Sequence, residues 1–245
     1  MVITKKYSEP KLNKKEILRY AGCKEGSELG DIEKLLEECL EEALPRLSYK
    51  LCYLELPIAI TGDTCDFGCM QVQSKDLVKN LTGCEKVLLF GATIGVEIDR
   101  LIARYAHISQ AKAMMFQAIG AERIEALCDA FCEDVKNETR VLIHTDQAEL
   151  ERQNEEVCIL HPRFSPGYGD LSIEAQRTIF EVLNCSKVIG LSLNDSFVMS
   201  PSKSVTAFVG IDVMEKTDNE KKENVDVQNH KCSSCKKKDC AFREK

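Results

Sequence analysis

Three cysteines close to the carboxyl end, Cys232, Cys235 and Cys240, are spaced C-x2-C-x4-C, and His230 stands two residues before the first. A C-x2-C turn brings two thiolates onto one tetrahedral metal, and a third thiolate with an imidazole completes a Cys3His set for zinc. The same thiols suit three irons of an iron–sulfur cluster. Lys231, Lys236, Lys237 and Lys238 flank them and favour the thiolate form electrostatically. The competing reading is a polar tail whose thiols bind nothing, although so polar a segment has no packing use for three cysteines.

A second group lies in Arg163-Phe164-Ser165-Pro166-Gly167-Tyr168-Gly169-Asp170. Pro and Gly fix a tight turn between a strand-like approach and a helix. Gly167 lets backbone amides approach a ligand. Arg163 offers a planar fork for a carboxylate, and Tyr168 offers a ring face and a hydroxyl. On physical grounds alone this is a tight turn that also has the makings of a binding loop.

Elsewhere the residue types do not assemble into known catalytic patterns. His107, His144 and His161 are isolated, and no Ser/His/Asp or Cys/His arrangement stands out. Phe90-Gly91-Ala92-Thr93-Ile94-Gly95 follows a strand pattern but lacks the G-x-G spacing of a dinucleotide loop, so it reads as a packing turn. Cys39, Cys52, Cys158 and Cys185 sit in apolar surroundings as small buried hydrophobes. Cys128 and Cys132 share a helix face with Phe131 and Val135, again for packing. Cys65 and Cys69 form a pair that alone makes no metal site.

The elements that would position these groups are legible from periodicity and caps. Asn13 to Glu16 resembles a capping box and starts a short helix that Gly22 ends. Ile32, Leu35, Leu36, Cys39, Leu40 and Ala43 recur at helical spacing until Pro45. Tyr49–Ile60 reads as a strand pair broken near Pro57. Ser74 caps a helix that Gly83 closes, and Lys86–Gly91 is a buried strand followed by a helix from about Gly95 to Tyr105. The longest helical pattern runs from Ser109 to about Asn137. Val141–Glu156 is ambiguous. Ser172 caps a helix through Leu183, and Lys187–Leu193 and Ser204–Ile211 read as strands. Long helices with scattered strands and no regular βαβ alternation give an α+β class. The expected organisation is a core over residues 1–213, a polar linker over 214–229 and a Cys-rich tail over 230–245.

Composition narrows the function. The chain has 245 residues, 44% hydrophobic and 30% charged, enough for a packed core under a solvated surface. A net charge of −7 argues against nucleic-acid binding, which needs a basic stripe, and against anionic membranes. No apolar run approaches the roughly 20 residues of a membrane span. The start lacks a signal-peptide pattern, so a cytoplasmic location with reduced thiols is expected for the 13 cysteines.

Arg163-x-x-Pro166-Gly167-Tyr168 followed by a helix, then Leu193-Asn194-Asp195-Ser196-Phe197-Val198-Met199-x-Pro201-x-x-Ser204-Val205, resembles the activation (reactivation) domain of cobalamin-dependent methionine synthase. Gly91–Gly95 and the Ala121–Ala126 helix are also similar, so the resemblance covers roughly residues 75–211, and the Cys-rich end looks like that of free-standing members. It implies a mainly antiparallel twisted sheet under long helices. It implies that Arg163, Pro166, Gly167 and Tyr168 bind S-adenosylmethionine. It also implies a partner, methionine synthase or another corrinoid protein, that carries the cobalamin, with a flavodoxin-type or ferredoxin-type electron donor. The chain lacks the Asp-x-His-x-x-Gly motif that holds cobalamin, which fits a split system with no catalytic acid or base of its own. The Cys-rich tail leaves a different reading open, an iron–sulfur or zinc redox or docking module for another corrinoid methyltransferase.

Overall fold

The computed structural model describes residues 1–23, 30–145 and 156–215. Strand β1 (Ile3–Tyr7) leads to helix α1 (Lys14–Tyr20), where Asn13 accepts from the Glu16 amide at 3.2 Å. Helix α2 (Gly30–Ala43) gives way at Pro45 to a 3-10 turn, then to β2 (Tyr49–Pro57) and the small strands β3 (Ala59–Thr61), β4 (Thr64–Asp66) and β5 (Gln71–Gln73). Ser74 caps α3 (Lys75–Leu81) by accepting from the Leu77 amide at 3.0 Å. Strand β6 (Lys86–Thr93), α4 (Glu97–Tyr105) and α5 (Gln110–Thr145) follow. The chain continues through β7 (Glu156–Leu160), α6 (Ala175–Leu183), α7 (Cys185–Val188), β8 (Ser192–Leu193), β9 (Met199–Ser200) and β10 (Ser204–Glu215).

The main sheet has the order β1-β2-β6-β10-β7, antiparallel at every junction. Its middle strand β6 reads as a continuous apolar run because both faces are covered. Leu88, Phe90 and Ala92 point into one core with α1, α2, α4 and α5, while Val87 and Leu89 point into another with α3, α6, α7, β4 and β5. Helix α5, 36 residues and so ~54 Å long, lays Phe116, Ile119, Leu127 and Phe131 on the first core. The α+β class and the antiparallel sheet are as expected.

A buried ion pair fixes the amino-terminal segment to α5. Arg123 is 0% exposed and donates to the carbonyls of Pro10 (2.7 Å) and Lys11 (2.8 Å) and to the adjacent Glu122 carboxylate. Glu122, 3% exposed, accepts in turn from the Asn13 amide at 2.9 Å. Every charged atom that leaves water thus finds a partner, as burial requires.

Several boundaries differ from expectation. Lys187–Leu193 is not a strand. Asn184, in the left-handed region at φ 51°, ends α6 and allows the short α7 to start at once; only Ser192–Leu193 is extended. Ser172 does accept from the Glu174 amide at 3.2 Å, but α6 starts at Ala175, after a turn. Gly95, at φ +87°, precedes α4 by two residues, with the Ser48 hydroxyl where a Cβ would point. The ambiguous stretch resolves in part, because α5 continues to Thr145, and β10 extends past Ile211 to pair with β7 through Glu215. Cys39, Cys52 and Cys185 are buried, as are Cys65 and Cys128, whereas Cys69 is exposed.

Candidate functional site

The loop after β7 continues the ladder along β10. The His161 amide donates to the Gly210 carbonyl at 2.9 Å, and Phe164 exchanges backbone bonds with Phe208 at 2.9 and 2.8 Å. Phe164 packs against the core holding α6. The neighbouring Arg163 reaches α5 instead. Its Nη2 donates to Glu125 Oε2 and its Nη1 to Asp129 Oδ1, each at 2.6 Å. Glu125 and Asp129 are one helical turn apart, so both carboxylates fall on the face that meets the loop.

This cluster is charged and half-enclosed. The Arg163 side chain is 14% exposed, Glu125 39% and Asp129 66%. Burial works against the guanidinium charge, but Cys128, Glu125 and Asp129 outweigh it and hold its pKa above the ordinary arginine value. Cys132 lies 4.0 Å from Nη1, and burial raises its pKa although Arg163 pulls the other way. One cation between two anions leaves the cluster with a net negative charge.

At the tip, Pro166 is buried and Tyr168 is 65% exposed. Gly167 takes φ +92°, a conformation that favours glycine, and its amide donates to the Leu171 carbonyl at 2.9 Å. The Tyr168 amide donates to Ser165 and the Leu171 amide to Tyr168, at 3.1 and 3.0 Å. Beyond the tip, the Asp170 carboxylate accepts from the Ser74 hydroxyl and from the amides of Lys75 (2.8 Å) and Asp76 (3.2 Å) at the start of α3.

The second sequence block forms the β8–β9 hairpin. Asn194 Oδ1 accepts from the amides of Ser196 and Val198, both at 2.9 Å, which accommodates Phe197 at φ +60°. The guanidinium of Arg177 on α6 stands 5.5 Å from the Phe197 ring centre, so α6 joins this hairpin to the Arg163 loop. Asp99 on α4 receives the Ser202 amide at 2.7 Å and ties down the far end.

A family model described as vitamin B12 dependent methionine synthase, activation domain, matches residues 69–216. The chain belongs to this family. Its fold is that of a solved relative, a crystal structure of the MetH reactivation domain bound to AdoHcy, with TM-score 0.57 and 17% identity over 86% of this chain and 78% of that one. No curated protein sequence matches the chain significantly.

Within this activation-domain fold, Arg163, Pro166, Gly167 and Tyr168 lie on one continuous loop. Sequence reasoning missed Glu125 and Asp129. Their signal was present in the helical pattern from Ser109 to about Asn137, but a charged i, i+4 pair looks the same whether it faces water or an arginine. His230, Cys232, Cys235 and Cys240 fall outside the described residues, as does most of the expected linker. Among the described residues no group of three or more His, Cys, Asp or Glu side chains is placed to hold a metal, and no helix is long and apolar enough to cross a membrane.

Proposed function

We propose that this chain binds S-adenosylmethionine at the Arg163–Tyr168 loop and supports reductive methylation of a cobalamin carried by a partner methionine synthase or related corrinoid protein. The observation that carries the reading is the guanidinium of Arg163 set between the carboxylates of Glu125 and Asp129, on a loop whose tip carries the exposed Tyr168. A zwitterionic amino-acid end fits that donor set: its carboxylate takes the Arg163 fork and its ammonium takes a carboxylate of α5. The sulfonium adds a positive charge that suits the net negative cluster. The Pro166–Gly167 backbone receives the nucleoside, and Tyr168 packs its ring beside it.

The partner's cobalamin, reduced by an external donor, supplies the nucleophile for the methyl group. The bond that breaks joins methyl carbon to sulfonium sulfur, and the leaving group departs as a neutral thioether. No proton moves, which accords with a site whose residues orient and shield rather than donate or abstract. Arg163 and the α5 carboxylates fix one end of the donor, and the loop tip fixes the other. Calorimetric titration with S-adenosylmethionine tests this reading directly. Saturable one-to-one binding supports it, and absence of binding removes it.

For the tail we propose a bound metal, zinc or an iron–sulfur cluster, on Cys232, Cys235, Cys240 and His230, serving electron delivery or docking. The support is the spacing of the thiols in a segment without packing use for them. Anaerobic purification separates the options, since a cluster absorbs broadly near ~400 nm while zinc leaves the protein colourless.

A further inference from the structure

We infer that Asp170 is a positioning residue for the nucleoside half of the ligand, clasping the Arg163–Tyr168 loop to the start of α3 through Ser74, Lys75 and Asp76. The inference rests on the binding reading above and deepens it.

The loop is held at three places. Arg163 engages α5, Phe164 is laddered to β10, and Asp170 engages α3. Only the stretch from Ser165 to Gly169 spans the gap between the last two anchors, and it carries the exposed tip. Asp170 Oδ1 receives the Ser74 hydroxyl and the Asp76 amide, while Oδ2 receives the Lys75 amide. Three donors nearly fill the acceptor capacity of a carboxylate and aim it at α3. The group therefore acts on the tip through the backbone rather than by touching a ligand.

Two further observations support a built clasp. Ser74 is 2% exposed, and its single hydroxyl both donates to Asp170 and accepts from the Leu77 amide, so one atom joins loop and helix cap. Its amide donates to the Asp63 carbonyl at 2.9 Å, which extends the connection to the β3–β4 turn. Gly169, at φ +53°, lies so close to Asp76 that a Cβ there would meet the Asp76 carboxylate. The loop can approach α3 this closely only with glycine at that position. The Ser74 hydroxyl, then the Lys75 and Asp76 amides, hold the Asp170 carboxyl below the usual aspartate range, so the clasp stays charged near neutral pH.

Releasing the clasp leaves the tip competent for only part of the time, and apparent affinity falls by that fraction. A competent fraction near one tenth raises the dissociation constant about tenfold. The test uses the full chain and two probes, S-adenosylhomocysteine and 5′-methylthioadenosine, which keeps the nucleoside but lacks the amino acid. Asp170→Asn and Ser74→Ala are expected to weaken both probes about equally, by about tenfold. Ser74→Thr, which keeps the hydroxyl, retains wild-type affinity. Arg163→Ala weakens S-adenosylhomocysteine more than 5′-methylthioadenosine, because it removes the partner of the ligand carboxylate as well as one anchor of the loop, and that unequal loss distinguishes a residue that touches the ligand from one that only positions the tip. Loss confined to S-adenosylhomocysteine in Asp170→Asn overturns the inference, as does wild-type affinity for both probes in Asp170→Asn and Ser74→Ala. In those cases the binding reading survives. A wild-type chain that binds neither probe overturns both.

Discussion

The Glu125 carboxylate lies 2.6 Å from the guanidinium of Arg163, 38 residues away in sequence. Glu125 sits on the longest helix and Arg163 on a loop at the edge of the main sheet, so the pair closes the seam between two layers. A ligand carboxylate at this arginine must displace or share one of its two acidic partners. Asp129, 66% exposed, is the easier of the two to release. Glu125 is then left to meet an ammonium.

Replacing Arg163 with alanine is expected to weaken S-adenosylmethionine binding by about 2–4 kcal/mol, because a half-enclosed carboxylate loses its charged partner and two acidic groups are left facing it. Lysine should rescue only in part, since it lacks the planar fork. Calorimetry on the three proteins checks the order. Equal affinity in wild type and Arg163→Ala would take Arg163 out of the site.

The buried pair beneath the amino-terminal segment has a different role. Arg123→Ala leaves Glu122 charged and enclosed, with the Pro10 and Lys11 carbonyls deprived of their donors. A destabilisation of about 3–5 kcal/mol is expected, the usual cost of breaking a buried pair from one side. Urea unfolding measures it. A change below 1 kcal/mol would mean that the segment is not held by this residue.

How much of this was legible in sequence depended on what each residue type announces. Asn13 and Ser74 announce helix starts by type, and both do cap helices. Lys86–Gly91 reads as a buried strand, and β6 runs on to Thr93 with alternate residues serving two cores. Lys187–Leu193 misleads. Val188, Ile189 and Leu191 look strand-like, yet Asn184 can adopt the left-handed conformation, and the chain turns into α7 to bury Cys185 against β6. The Arg163 loop was visible as a motif. Its partners were not, because Glu125, Asp129 and Ser74 meet it only through long-range packing.

Gly91 marks one such packing constraint. A Cβ there would lie 3.2 Å from Cys185 Sγ and 3.6 Å from Cys52 Sγ. Gly91→Ala should therefore destabilise the fold by about 1–3 kcal/mol, the range for overfilling a packed core. Adding Cys185→Ala to Gly91→Ala frees the crowded volume and should recover part of that loss. A double mutant no more stable than Gly91→Ala alone would show that the strain arises elsewhere.

Alkaline pH offers a test of the buried thiols. Burial pushes the thiols of Cys39 and Cys84 up to about 11 from an ordinary 9.0. The folded state then keeps protons that the unfolded state gives up, so stability from these groups is full below pH 9 and is lost as pH rises through 11. Cys39→Ala removes one of the two groups, so the difference in stability between wild type and mutant should shrink between pH 8.5 and 11. A difference constant across that window would mean that Cys39 ionises in the folded protein as it does in the unfolded chain.

The carboxyl-terminal segment is best tested by a cut placed according to strand pairing. Ending the chain after Ile211 would remove Asp212–Glu215, which pair with Ile159–Glu156 of β7, the strand that leads into the Arg163 loop. A cut after Glu215 spares that ladder. S-adenosylmethionine affinity is expected to stay within about twofold of wild type, since this cut leaves the β10–β7 pairing whole through Glu215. What should fall is reactivation of the corrinoid partner. The triple change Cys232→Ser, Cys235→Ser, Cys240→Ser should reproduce that fall together with loss of metal by elemental analysis, because serine is a poor ligand for zinc or iron. If the triple mutant reactivates the partner at the wild-type rate, the three thiols play no part, and a fall seen only on truncation belongs to the rest of the segment.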